Sequence, residues 1–253
     1  MTRQRFHSPL FRVLLATASL VGVPAAHAEE DVRVLWIGNS LVYYNDLPKM
    51  VAELAKAGGQ RPLANEQETP GGCTLEKHWT DGKALKKLAA HKWDFVVLQE
   101  HSQKPLTDPK PMFEYANKFD AEIQKQGGKT LLYLPFPLAK APENQAKLTK
   151  LHEDLAAKLK ARVVPVGPAW AKAQAEPTPP NLFNNDGVHP NRTGSYLAAC
   201  MFYAAIYGKS PEGLPGNIGG LSEEEAKSLQ AIAWQVVKER SSRSEAPADG
   251  PGG

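Results

Sequence analysis

"VRVLWIGNSLVYYNDLP", residues 32–48, passes from an apolar run straight into Gly38-Asn39-Ser40. The run reads as a buried strand, because it is continuously apolar rather than alternating. Gly and Asn relax the backbone where a strand must turn sharply. Ser40 admits two readings at this point. It is either an ordinary turn residue or a nucleophile held at the rim of a sheet.

Three more apolar runs follow: "DFVVLQ" (94–99), "KTLLYLPF" (129–136) and "ARVVPVG" (161–167). A weaker, polar strand, "RPLANEQ" (61–67), suits a sheet edge. Helix-like segments separate these runs. Residues 46–58 open with Asp46 as N-cap and Pro48 in the first turn, and stop at Gly58-Gly59. Residues 74–91 are amphipathic but broken at Gly82, and residues 109–126 and 142–160 are longer and more regular. In the last of these, Leu148, Leu151, Leu155 and Leu159 share one face, and His152 reads as a surface residue between them. The β-α-β-α-β order predicts right-handed crossovers and a doubly wound α/β sheet. Ligands bind such sheets beyond the carboxyl ends of the strands. Ser40 and the segment Gln99–Gln103 would then share one rim.

Residues 1–28 read as an export signal, with Arg3, Arg5 and Arg12 ahead of the apolar stretch Leu14–Val23 and an Ala26-His27-Ala28 cleavage site. An uncleaved anchor is the rival reading, but the run is well short of the ~20 residues a spanning helix needs. Cleavage near Ala28 would give an exported protein with no stable membrane insertion. The signal holds three of the 30 Lys+Arg and none of the 27 Asp+Glu, so the remaining chain is formally neutral and offers nothing to a nucleic acid. Residues 29–240 suffice for one α/β domain. Residues 241–253, "SSRSEAPADGPGG", lack apolar content and read as a disordered tail. Cys73 and Cys200 permit a disulfide without establishing one. No Cys-x-x-Cys or His-Glu-x-x-His pattern occurs, so neither metal nor cofactor is expected.

Three further stretches can carry chemistry. In "NNDGVHPNRTGSYLAAC" (184–200), Asp186 precedes His189 by three residues. The carboxylate can curl back onto Nδ1–H, fixing the tautomer and freeing Nε2 to take a hydroxyl proton. An isolated Asp-x-x-His more often marks a loop Asp capping a helix and a surface His. Pro190 suits the first turn of the helix that follows. In "TPGGCTLEKHW" (69–79), the N–H of a glycine at a loop-to-helix junction can face an oxyanion, or Gly71-Gly72 can be a plain turn. In "WDFVVLQEHSQKP" (93–105), amide side chains appear abruptly at a strand end.

The order of these blocks resembles that of the SGNH hydrolase superfamily, whose first block is often written GDSL. Here the first block is Gly38-Asn39-Ser40-Leu41, with Asn in place of Asp. The second matches at Gly72-Cys73-Thr74-Leu75 and the last at Asp186-Gly187-Val188-His189-Pro190. The resemblance spans about residues 32–208 and is closest to a bacterial branch of exported, esterase-like members. It implies a three-layer α/β/α fold with a central parallel five-stranded sheet in the flavodoxin-like order. It also implies a Ser40–His189–Asp186 triad acting through an acyl-enzyme, and an oxyanion hole of the Ser40 and Gly72 N–H groups. The third block departs from the superfamily's G-x-N-D and reads Gln99-Glu100-His101-Ser102-Gln103, loosely like the Gln-Gly-Glu-Ser run of sugar O-acetylesterases. The amide role therefore falls to Gln99, with Gln103 as second choice.

The implied activity is hydrolysis of short-chain esters, with acetyl groups on a carbohydrate as the leading substrate. The alternatives are a carbohydrate O-acyltransferase with the same triad and a non-catalytic carbohydrate-binding protein. Asn39, Tyr43, His78, His101 and Gln103 are the candidate substrate contacts. Tyr44 and Trp79 could also stack on sugar rings, with packing as the competing role. The oligomeric state is not legible.

Overall fold

The computed structural model describes residues 1–2 and 30–245, with side chains through residue 241. The expected export segment therefore lies outside the described residues, apart from Met1 and Thr2. Along the chain come β1 (Val32–Ile37), α1 (Ser40–Tyr43), a 3-10 turn (Tyr44–Asp46), α2 (Leu47–Ala57), β2 (Leu63–Glu68), α3 (Leu75–Asp81), α4 (Lys83–Ala90) and β3 (Phe95–Leu98). They are followed by α5 (Lys104–Thr107), α6 (Lys110–Lys125), β4 (Lys129–Tyr133), α7 (Asn144–Leu159), β5 (Arg162–Val164), α8 (Val166–Gln174), α9 (Arg192–Tyr207), a second 3-10 turn (Gly216–Ile218) and α10 (Glu223–Glu245).

The five strands form one parallel sheet in the order β2-β1-β3-β4-β5, the doubly wound arrangement that the strand pattern predicts. Alternation along each strand sends side chains to two separate cores. Val34 and Trp36 of β1, Val97 of β3, and Leu131 and Tyr133 of β4 face α2, α8, α9 and α10. Leu35, Ile37, Val96, Leu98 and Leu132 face α3, α4, α6 and α7. Burying a single side chain such as Leu54 or Phe119 contributes about 1.5–3 kcal/mol, so both layers are held strongly. The polar β2 occupies an edge, as its composition predicts. Its Asn65 Oδ1 accepts the indole N–H of the fully buried Trp36 at 2.9 Å.

Several boundaries differ from the sequence reading, each for a physical reason. β4 ends at Tyr133 and β5 at Val164. Pro135 and Pro165 have no N–H with which to extend a ladder, and Val166 begins α8, a helix the sequence reading did not anticipate. Asp46 stands at the head of α2 but makes no side-chain cap, since its backbone is left-handed (φ 53°). Pro190 is not in a helical turn: α9 starts at Arg192, and the side chain of Asn191 caps it by accepting the Gly194 N–H at 2.9 Å. α10 was likewise unanticipated, and it carries residues 241–245 of the expected tail as helix. His152 is buried, not on the surface. It follows Leu148 by one helical turn, its Nδ1 lies 2.8 Å from the Leu148 carbonyl, and burial pushes the imidazole down to about 4. Both cysteines are buried free thiols.

Candidate active site

The carboxyl ends of β1 and β3 lie side by side, with Ile37 paired to Leu98. The ladder continues one step past each strand: Gly38 N–H donates to the Glu68 carbonyl at 3.1 Å, and Gln99 N–H to the Ile37 carbonyl at 2.9 Å. The Ser40 turn and the 99–103 loop therefore leave the sheet together. Glycine is required at 38, since a Cβ there would stand 2.7 Å from Gln99 Oε1 and 2.9 Å from Val42 Cγ2. Asn39 is the N-cap of α1, its Oδ1 accepting the Leu41 N–H at 3.2 Å. Ser40 is the first helical residue and is 9 % exposed.

The Asp186–His189 loop reaches Ser40 from the far end of the sequence. Asp186 Oδ1 accepts the N–H groups of Val188 (2.9 Å) and His189 (3.0 Å), and a left-handed Gly187 (φ 64°) closes the turn. The carbonyl of Gly187 takes the Ala139 N–H at 2.9 Å, and Asn184 N–H donates to the His189 carbonyl at 2.9 Å, so the loop is pinned on both flanks. Within it His189 Nδ1 lies 2.6 Å from Asp186 Oδ2, while Nε2 lies 3.0 Å from Ser40 Oγ. With Nδ1–H donated to the carboxylate, Nε2 is left to accept from the hydroxyl. The hydrogen bonds from His189 and Val188 hold the Asp186 carboxyl down at about 2. The arrangement can move a proton from a hydroxyl to an imidazole whose resulting charge is already neutralised.

The second glycine block sits beside this turn. Asn39 Nδ2 donates to the Cys73 carbonyl at 3.0 Å, joining the 70–73 turn to the residue before Ser40. Gly72 is exposed and left-handed (φ 64°), with open space where a Cβ would be.

Four of the expected contacts have other work. Gln99 is fully buried. Its Oε1 accepts the Asn39 N–H at 2.8 Å and its Nε2 donates to the Glu100 carbonyl, so the amide supports the Ser40 turn from below instead of facing an oxyanion. Asn39 is equally enclosed, its amide committed to Leu41 and Cys73, and does not face a substrate. His78 is buried on α3, with Nε2 2.7 Å from the Gly38 carbonyl, and desolvation lowers its pKa. Trp79 packs edge-on against Phe119 in the second core and offers no platform. Their types and positions point to the site, but a sequence does not tell whether a polar side chain at a strand end turns outward or under the loop.

His101 and Gln103 remain half-buried near the rim, with His101 Nδ1 accepting the Gln103 N–H at 3.1 Å and Gln103 Nε2 3.4 Å from Ser102 Oγ. Tyr43 is exposed, at 42 %. Glu100 is a buried strut: it takes the N–H groups of Leu75 (3.2 Å) and His101 (2.6 Å), tying α3 to the 99–103 loop, while desolvation raises its pKa. Asn45 was missed altogether. Its left-handed backbone (φ 55°) is the kind Asn tolerates, and its amide reaches across to the His189 loop. Among the described residues no group of three or more His, Cys, Asp or Glu side chains could hold a metal ion.

No family model matches the chain, and no curated protein matches it. Solved structures do. A suggested SGNH hydrolase from Slackia heliotrinireducens is 26 % identical, with a TM-score of 0.62 over 70 % of this chain and 100 % of the other. A DUF4886 family protein from Bacteroides uniformis is 21 % identical, with a TM-score of 0.68 over 83 % and 96 %. The acetyl xylan esterase AlAXEase is 16 % identical, with a TM-score of 0.57 over 69 % and 100 %. The last two likenesses are of fold. Taken with the strand order and the succession of motif blocks along it, these matches show the fold of the SGNH hydrolases and support the resemblance to that superfamily.

Proposed function

We propose that this protein is a carboxylic ester hydrolase in which Ser40 is the nucleophile, His189 the general base and then acid, and Asp186 the group that orients and neutralises the imidazole. The observation that carries this reading is the pair of contacts at His189, 3.0 Å to Ser40 Oγ and 2.6 Å to Asp186 Oδ2. Ser40 Oγ attacks the ester carbonyl as its proton passes to His189 Nε2, and His189 returns that proton to the departing alcohol. Water then attacks the acyl-Ser40 ester with the same imidazole as base, releasing the acid and restoring the hydroxyl. The N–H groups of Ser40 and Gly72 are the oxyanion donors in this scheme, each worth about 3 kcal/mol. Gln99 does not join them, since its amide is committed beneath the turn, and the side-chain amide role passes to Gln103, the second choice.

The substrate we propose is a short acyl ester, with acetyl on a carbohydrate first. The fold shared with an acetyl xylan esterase supports this, as does the exposed ring of Tyr43. We also propose export, with cleavage near Ala28 leaving a single hydrolase domain. No described helix is long and apolar enough to cross a membrane. The test is fluorophosphonate labelling of purified protein with peptide mapping, alongside hydrolysis of acetyl and palmitoyl esters. Label on Ser40, faster acetyl cleavage and an inactive Ser40→Ala are expected. An unlabelled protein without esterase activity would leave only a binding role, and a sugar acceptor that captures the acyl group in preference to water would make the enzyme a transferase.

A further inference from the structure

His189 is also held at the face of its ring. The Tyr44 ring lies flat against the imidazole, with centroids 4.2 Å apart and planes within 7° of parallel, and Tyr43 stacks on Tyr44 at 5.4 Å. Directly after these rings the backbone enters the left-handed region at Asn45 (φ 55°) and Asp46 (φ 53°). Such geometry is uncommon for residues other than glycine and needs support from its surroundings. Asn45 supplies that support, because its Nδ2 donates to the Pro190 carbonyl at 3.1 Å and to Ser195 Oγ at 2.9 Å. The short segment that leaves Ser40 thus returns to clamp the imidazole loop at a ring face and at the next residue's carbonyl.

We infer that Tyr44 is a positioning residue that acts through His189: it fixes the plane of the imidazole and stabilises the imidazolium formed when Ser40 gives up its proton. The inference rests on the roles proposed above for Ser40 and His189. Asp186 meets the ring at Nδ1 and Ser40 at Nε2, both in the imidazole plane, so the face is where a third group can act. A cation over a tyrosine face is attracted by the ring quadrupole, whereas neutral imidazole gains little from that term. The benefit is therefore largest once the proton has moved. The other charged groups nearby do not compete. Arg192 of α9 donates to the carbonyls of Gly219 and Ile218, and Asp46 makes no bond to the ring among the described residues. Tyr44 is consequently not a free sugar platform, and Tyr43 is the exposed member of the pair.

The test compares Tyr44→Leu and Tyr44→Phe with wild type and with Ser40→Ala, using p-nitrophenyl acetate across pH. Tyr44→Leu should lower kcat about five- to tenfold with KM within about twofold, and move the acid limb of kcat/KM down by about half a pH unit or more. Tyr44→Phe should restore both, because it keeps the ring. If the leucine variant fails to fold, Tyr44→Met takes its place. An unmoved kcat and acid limb in a folded Tyr44→Leu or Tyr44→Met overturns the inference, as does failure of Tyr44→Phe to rescue. A fully active Ser40→Ala instead overturns the proposed nucleophile and leaves Tyr44 with no reaction to serve.

Discussion

The Nε2 atom of His78 lies 2.7 Å from the carbonyl oxygen of Gly38, two residues ahead of Ser40. The imidazole therefore donates to the turn that presents the proposed nucleophile, and burial lowers its pKa. His78→Ala leaves that carbonyl without its donor inside the protein. We expect a loss of about 1–3 kcal/mol in stability, together with a lower kcat and an unchanged KM. Thermal unfolding and steady-state kinetics on the purified variant check this. A raised KM with an unaltered midpoint would return His78 to the substrate-contact role expected from its position in the sequence.

Gln99 separates two accounts of the oxyanion. A donor facing the substrate would cost about 10²–10³ in kcat on removal and leave stability alone. With its oxygen under the Asn39 N–H, Gln99→Ala should instead strand a buried donor, at about 1–3 kcal/mol. The expected result is a midpoint lower by several degrees and a far milder fall in kcat, measured well below the unfolding transition.

Asp186→Asn should lower kcat by about 10²–10⁴ while preserving the fold, because the amide favours the wrong imidazole tautomer. The wild-type carboxyl, held at about 2, stays ionised throughout the range in which the protein is assayed. Asp186 itself should therefore give the pH–rate profile no limb in that range. A limb that persisted unchanged in a His189 variant with residual activity would contradict this.

His152 predicts how stability responds to acid. Its folded value is about 4, below the ordinary 6.5, so on acidification the unfolded chain takes the proton first. This contribution is complete above about pH 6.5 and is lost as pH falls towards 4, by up to ~1.4 kcal/mol per unit. Glu100, raised by burial, acts in the opposite sense: its folded carboxyl takes a proton before the unfolded one, which adds stability as pH falls towards the ordinary carboxylate range. His152→Leu should flatten the fall in melting temperature between pH 7 and pH 5. An identical slope in the variant would locate the acid sensitivity elsewhere.

The inner strands were legible because Val32–Ile37, Phe95–Leu98 and Lys129–Tyr133 are mostly apolar on both faces, and the order of crossovers leaves few topologies. Ser40, Asp186 and His189 were legible as a set because each follows a backbone signal: a strand end, a tight turn, a helix start. The direction of neighbouring polar side chains was not. Gln99 and Asn39 satisfy buried backbone groups, a demand that arises only once the two strand ends stand together. Tyr43 and Tyr44 look alike in sequence, yet only Tyr44 meets the imidazole, because the backbone reverses at Asn45. The burial of His152 was within reach, since it follows Leu148 by four residues on the same stripe.

Ser40 and His189 are separated by 149 positions, with four of the five strands between them. On the proposed roles, a chain interrupted before residue 189 would hold a hydroxyl with no base, however well its remaining core survived. On those roles, a simple colorimetric esterase assay would count only molecules in which residues 40 and 189 have met.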